Sequence, residues 1–211
     1  MKIVLLGPPA AGKGTQAANL SKHFNIPSIS TGAIIRNEIS NGSTLGIKAK
    51  TFIDNGQLVP DDLVIDIVKS RITADDCKNG YILDGFPRTV VQAQAADEMG
   101  IQINRVILIE IPDDEVVKRI TGRRECIKCG SVYHTTYNPS KVEGICDKCE
   151  GKITCREDDT EETVRIRLSV YHSITEPLKA YYNDKDILTK VTGREKVEDT
   201  TKDMFEALGE V

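Results

Sequence analysis

Five short apolar runs rich in β-branched residues, each closed by polar or glycine positions, punctuate the chain at residues 3–6, 27–30, 81–83, 106–111 and 187–191. Between them lie stretches with apolar residues at helical spacing, clearest at 15–23, 63–73 and 161–182. Runs that short and that continuously apolar read as strands buried on both faces. Strands alternating with helices imply right-handed crossovers, so the expected fold is a doubly wound α/β protein with a five-stranded parallel sheet.

Two stretches break that rhythm. Residues 30–59 read as helices separated by Gly and Asn, without a strand between them, and residues 122–159 are dense in Cys, Gly, Lys and turn residues. Both look inserted between core elements, which leaves 1–29, 60–121 and 160–211 as the core. The helix after the second insertion has a start signal in Asp159 or Thr160, and Glu162 is placed to complete a capping box with Asp159.

Composition narrows the function. The 211 residues are 39% hydrophobic and 28% charged, with a net charge of -4, so a general nucleic-acid binder with a basic footprint is disfavoured. Any polyanion has to be held by a local cluster of cations. The opening "MKIVLLGPP" is too short an apolar run for a signal-peptide core or a membrane span, and a cytoplasmic location is expected. In that compartment six Cys are reduced thiols, and close Cys pairs read as metal ligands before they read as disulfides.

The segment "GPPAAGKGT", residues 7–15, follows a predicted strand and precedes a predicted helix. Glycine there lets backbone N–H groups turn inward around an anion, the helix N-terminus adds its positive end, and Lys13 reaches the outer phosphates. Ala10, Ala11, Gly12, Lys13, Gly14 and Thr15 are therefore the candidate triphosphate cradle. The match departs from the usual phosphate-loop pattern at one place, since Gly14 stands where a hydroxyl is expected and Thr15 follows it. On the strand of "YILDGFPRT", Asp84 is placed to hold Mg²⁺ directly or through water, and Arg88 follows in the loop.

The pairs Cys126–Cys129 and Cys146–Cys149 stand sixteen residues apart, which is a zinc spacing. Four thiolates close a tetrahedral shell with no open position, so a structural Zn²⁺ is expected, with Fe²⁺ or Co²⁺ also acceptable to sulfur. Cys155 and His134 stand as substitute ligands outside the C-x-x-C pairs, while Cys77 and Cys155 otherwise read as ordinary thiols. A nucleic-acid zinc ribbon and a disulfide pair are the competing readings.

The variant G-K-G-T, together with "STGAIIR", "GQLVPDDLV", "NGYILDGFPRT", "GRR", "VYH", "NPSKVEG" and "DDTEETVRIRL" in that order, resembles the adenylate kinases, in the long form whose lid carries a metal knuckle. The resemblance implies a phosphate-loop nucleoside monophosphate kinase that converts MgATP and AMP reversibly into two ADP. Residues 30–59 would then be the AMP-binding flap and 122–159 a lid over ATP. It places Thr31, Arg36, Gln57, Leu58, Val59, Gly85, Phe86, Pro87, Arg88, Gln92, Arg156 and Arg167 on the AMP side, with a cis bond at Phe86–Pro87. Lys13, Arg119, Arg123, Val132, Tyr133 and Glu195 fall on the ATP side, and Lys13, Asp84, Arg88, Arg119, Arg123, Arg156 and Arg167 form the catalytic set. Arg165 and Arg167 point roughly 200° apart on a helix, so only one can face the site, and the motif selects Arg167. The amide of Gln92 offers one donor and one acceptor, which suits adenine N1 and N6. The resemblance also implies a monomer. A kinase for UMP or CMP and a nucleotide-dependent switch without an acceptor stay open as alternatives.

Overall fold

The computed structural model describes residues 1–210. The sheet is built from β1 (Lys2–Leu6), β2 (Ser28–Ser30), β3 (Tyr81–Asp84), β4 (Arg105–Glu110) and, last in the chain, a strand over Leu188–Thr192. All pairings are parallel, and β1 is central, flanked by β3 and β4, with β2 and the last strand at the edges. The expected five strands are present, and their alternation sorts the two faces. Val4, Leu6, Leu83, Val106 and Leu108 face one way into the larger core, while Ile3, Leu5, Ile82, Ile107 and Ile109 face the other.

The second face is covered by α1 (Lys13–Phe24) and a C-terminal helix over Val197–Leu208, through Ala17, Leu20 and Met204. The first is covered by α2 (Thr31–Ser40), α3 (Thr44–Asp54), α4 (Asp61–Ile72) and α5 (Val90–Glu98). Here α2 and α3 make up the strandless excursion foreseen in the sequence, each started by a serine, Ser30 and Ser43, whose hydroxyl accepts from a first-turn N–H.

Beyond β4, α6 (Asp113–Thr121) leads into a separate antiparallel sheet of β5 (Arg123–Cys126), β6 (Val132–His134) and β7 (Ile153–Thr154), with β5 in the middle. This knuckle has a minimal buried cluster of Cys126, Tyr133, Cys146 and Ile153, so half of its core consists of candidate ligands. The chain leaves it through α7 (Glu161–Val170), which packs on α6 by way of Val116, Ile120, Val164 and Leu168.

Two expectations change. The helix foreseen over 161–182 is interrupted: α7 gives way to a π-helical stretch at Tyr171–Thr175, and α8 (Leu178–Asn183) starts after Pro177. Proline has no N–H to continue the ladder, and its ring crowds the preceding turn. The cap of α7 is Thr160, whose hydroxyl accepts from the Thr163 N–H at 3.2 Å. Asp159 is not available as a cap because its carboxylate is taken by arginines, and no capping box forms with Glu162. After α8 the chain returns through β8 (Leu188–Thr192) to α9 (Val197–Leu208). No described helix is long and apolar enough to cross a membrane.

Candidate functional site

A cleft of about 550 Å³ opens along the C-terminal ends of the sheet strands and is walled by the phosphate loop, the α2–α3 excursion and the knuckle. This is the edge at which doubly wound sheets bind ligands, because helix N-termini converge there. Eight cationic side chains line it against four carboxylates, so a protein of negative net charge carries a locally positive interior.

The loop from Gly7 to Gly12 joins β1 to α1. Gly7 has φ +144°, and a Cβ there would stand 2.4 Å from the Ile109 carbonyl oxygen, so the close approach of loop to β4 requires glycine. Lys13 folds back and donates to the Gly7 and Pro8 carbonyls at 2.8 and 2.7 Å. Burial pulls its ammonium down to about 8, partly offset by Asp84. Asp84 ends β3 beside Leu5 of β1, and its Oδ2 is 3.5 Å from where a Gly14 Cβ would sit. The departure at Gly14 thus leaves the space beside the carboxylate free.

On the opposite wall Thr31, 2% exposed, donates to the Gly85 carbonyl at 2.9 Å. Arg88 donates to the same oxygen through Nε at 3.1 Å. Gly85 has φ +81°, and a Cβ would stand 2.9 Å from Thr31 Oγ1 and 3.1 Å from Arg88 Nη2, so no other residue fits this turn. The Phe86–Pro87 bond is cis. Gln57, Leu58, Val59 and Pro87 line the same wall, whereas the Phe86 ring lies behind it, fully buried in the core. Burial lowers both Arg88 and Arg36, the latter to about 10 with Arg156 adding to the effect, which marks two guanidiniums short of solvent and of counter-charge.

Three further cations, Arg123, Arg156 and Arg167, are each already held by an acid. Arg123 grips Asp159 with two arms, the Nε contact being 2.7 Å. Arg167 pairs with Asp158 and reaches Asp159 at 3.6 Å, while Arg156 pairs with Glu125. Arg165 instead lies exposed against Glu161, the two arginines pointing to different sides of the helix. Burial works against the charge of Asp158, but Arg167 and then Arg156 more than offset it and hold its carboxyl below the usual range. Arg119 donates to the Arg194 carbonyl at 2.9 Å, close to Glu195, and its buried Nε has no partner among the described residues. Val132 and Tyr133 of β6 complete that end.

The acids Glu125, Asp158 and Asp159 were not singled out as site residues from the sequence. Their signal was present, since Glu125 sits inside the knuckle motif and Asp158–Asp159 open the last motif, but only the fold shows which arginine each one holds.

The four cysteine sulfurs lie within 4.8 Å of one another, with Cys126–Cys149 at 3.5 Å and Cys129–Cys146 at 3.6 Å. Sulfurs around a tetrahedral ion at 2.3 Å are separated by about 3.8 Å, so the donor set fits a structural metal. The Tyr133 hydroxyl stands 3.3 Å from Cys146 Sγ and accepts from the Asp147 N–H at 2.8 Å, which ties β6 to the second cysteine pair. His134 and the exposed Cys155 lie outside this set, and so does the buried Cys77.

Comparison with known proteins agrees with this geometry. The family model described as adenylate kinase matches residues 5–187. An adenylate kinase of Acetivibrio thermocellus is 54% identical over 100% of this chain and 99% of its own. Those of Caldicellulosiruptor saccharolyticus and Clostridium acetobutylicum are each 52% identical, over 99% of both chains and 100% of both chains respectively.

Proposed function

Since the chain belongs to the adenylate kinase family and transfers a phosphoryl group reversibly from ATP to AMP, we propose how its own residues divide that work. The observation that carries the division is the single cleft into which the phosphate loop and the Thr31–Arg88–Gln92 wall both open.

Residues 10–15, Lys13 among them, hold the ATP phosphates, and Asp84 would hold Mg²⁺ directly or through water. Arg36 and Arg88 hold the AMP phosphate, for which their desolvated guanidiniums lack any other strong partner. Thr31, the backbone of 57–59, Gly85 and Gln92 hold the AMP nucleoside. Arg119, Val132, Tyr133 and the backbone at Glu195 hold the ATP adenosine. Transfer of this kind needs the two phosphates in line and the charge of the migrating group neutralised, with no covalent step from the protein. Arg123, Arg156 and Arg167 supply that neutralisation, oriented by Glu125, Asp158 and Asp159.

The core of 1–29, 60–121 and 160–211 stays fixed while 30–59 and 122–159 move as flap and lid, admitting nucleotides and then excluding water. The Cys₄ site holds Zn²⁺, whose contribution is to give a small segment the rigidity it cannot obtain from four buried side chains. The protein works as a cytoplasmic monomer, a reading supported by a cleft completed within one chain. The test is ADP formation from MgATP with AMP, run beside GMP, CMP, UMP and no acceptor. Strong preference for AMP with little hydrolysis in its absence is expected, and acceptor-independent hydrolysis would overturn the proposed closure.

A further inference from the structure

Gln92 is 1% exposed, and each end of its amide already has a partner inside the protein. Its Oε1 accepts from the Arg88 backbone N–H at 2.8 Å, and its Nε2 donates to Asp61 Oδ1 at 2.7 Å. Asp61 also accepts from the Thr89 hydroxyl, 3.2 Å from each carboxylate oxygen. That hydroxyl in turn accepts from the Gln92 N–H at 3.0 Å as the cap of α5. Asp61 is the first residue of α4, where the α2–α3 excursion rejoins the core, and it does not itself line the cleft.

Both partners have fixed polarity. A carboxylate can only accept and a backbone N–H can only donate, so the two contacts favour the same orientation of an amide that is otherwise nearly symmetric, and the charge-assisted bond to Asp61 is the stronger of the two. What remains on Gln92 is one N–H and one oxygen lone pair. An adenine edge offers an acceptor at N1 and a donor at N6, which match them. A 6-oxopurine offers a donor at N1 and an acceptor at O6, which meets like with like.

We propose that Asp61 is the positioning residue that sets base specificity at the AMP site, by locking the Gln92 amide in the orientation that accepts adenine and rejects a 6-oxopurine. This rests on the reading of Gln92 as the base contact. Asp61 acts through Gln92 and touches no substrate.

The experiment compares AMP with IMP, which differs at the edge in question and lacks the extra amino group of GMP. The ratio of kcat/KM for AMP over IMP is measured for wild type, Asp61→Asn, Gln92→Leu, the double variant and Asp62→Asn. Asparagine keeps the shape of Asp61 but can face Gln92 with either polarity, so the AMP/IMP ratio is expected to fall by about tenfold or more. The KM for ATP should stay unchanged. Asp62→Asn removes the same charge from the same helix end and should leave the ratio at its wild-type value. In the Gln92→Leu background, Asp61→Asn should move the ratio no further.

A ratio that falls with Gln92→Leu but not with Asp61→Asn overturns the role of Asp61 and leaves the base contact intact. A ratio unmoved by Gln92→Leu overturns the base contact, and the role of Asp61 with it. A purely structural Asp61 would lower the melting temperature and both activities while preserving their ratio. Asp61→Ser carries the same expectation as Asp61→Asn and serves if the asparagine variant does not fold.

Discussion

At the scale of residues, the site is a set of charges held ready by counter-charges or by want of them. Lys13 titrates near 8 because burial disfavours its ammonium. A phosphate ligand needs that ammonium, so binding above this pH requires proton uptake. ATP affinity should therefore weaken above about pH 8, approaching tenfold per pH unit, and calorimetry at pH 8.5 in buffers of differing ionisation enthalpy should detect the proton. The Asp159 side chain is 0% exposed and Arg123 only 15%, so Asp159→Asn strands a desolvated guanidinium. A loss of about 2–4 kcal/mol in chemical denaturation is expected, smaller when ADP is present because a phosphate then faces the same cation. Candidate cations and thiols were legible in the sequence because motif spacing marks them. The acids that hold the cations were not: Arg123 and Asp159 are 36 residues apart, and only the return of the chain through the knuckle brings them together. Of the two cap candidates, Thr160 caps the helix while Asp159 is drawn away, a local signal yielding when a stronger partner arrives from elsewhere.

At the scale of elements, the parallel strands were readable because each is buried on both faces and leaves a continuous apolar run. The knuckle strands were not, since β5, β6 and β7 span only 4, 3 and 2 residues and cannot display a period of two. On the proposed reading of the cysteine cluster as a metal site, the metal reinforces these short strands, and chelation should act locally. Hydrogen exchange after metal removal should lose protection at the Cys126, Gly130, Cys146 and Glu150 amides, all bonded within the knuckle, while β1 and β4 keep theirs. Replacing Cys146 by Ser should reproduce the effect without chelator. The break at Pro177 is a different case, for the apolar spacing continues through it and only the missing N–H shows that the helix cannot.

At the scale of the whole molecule, a net charge of -4 coexists with a cleft in which cations outnumber acids two to one. Low-dielectric walls focus that field on incoming nucleotide, and salt screens it. The KM for ATP should rise with ionic strength, checked by an ionic-strength series at fixed free Mg²⁺, and pyrophosphate should inhibit competitively against ATP, checked by initial rates over a matrix of ATP and pyrophosphate concentrations. The sheet order has a consequence of another kind. The central strand lies at residues 2–6, yet its neighbours β3 and β4 come from residues 81–84 and 105–110, and the far edge waits for 188–192. On a ribosome adding about 5–20 residues per second, this central strand spends several seconds with no neighbour on either side. An apolar ribbon is thus displayed to the translation machinery and its attendant chaperones long before the sheet that conceals it can exist.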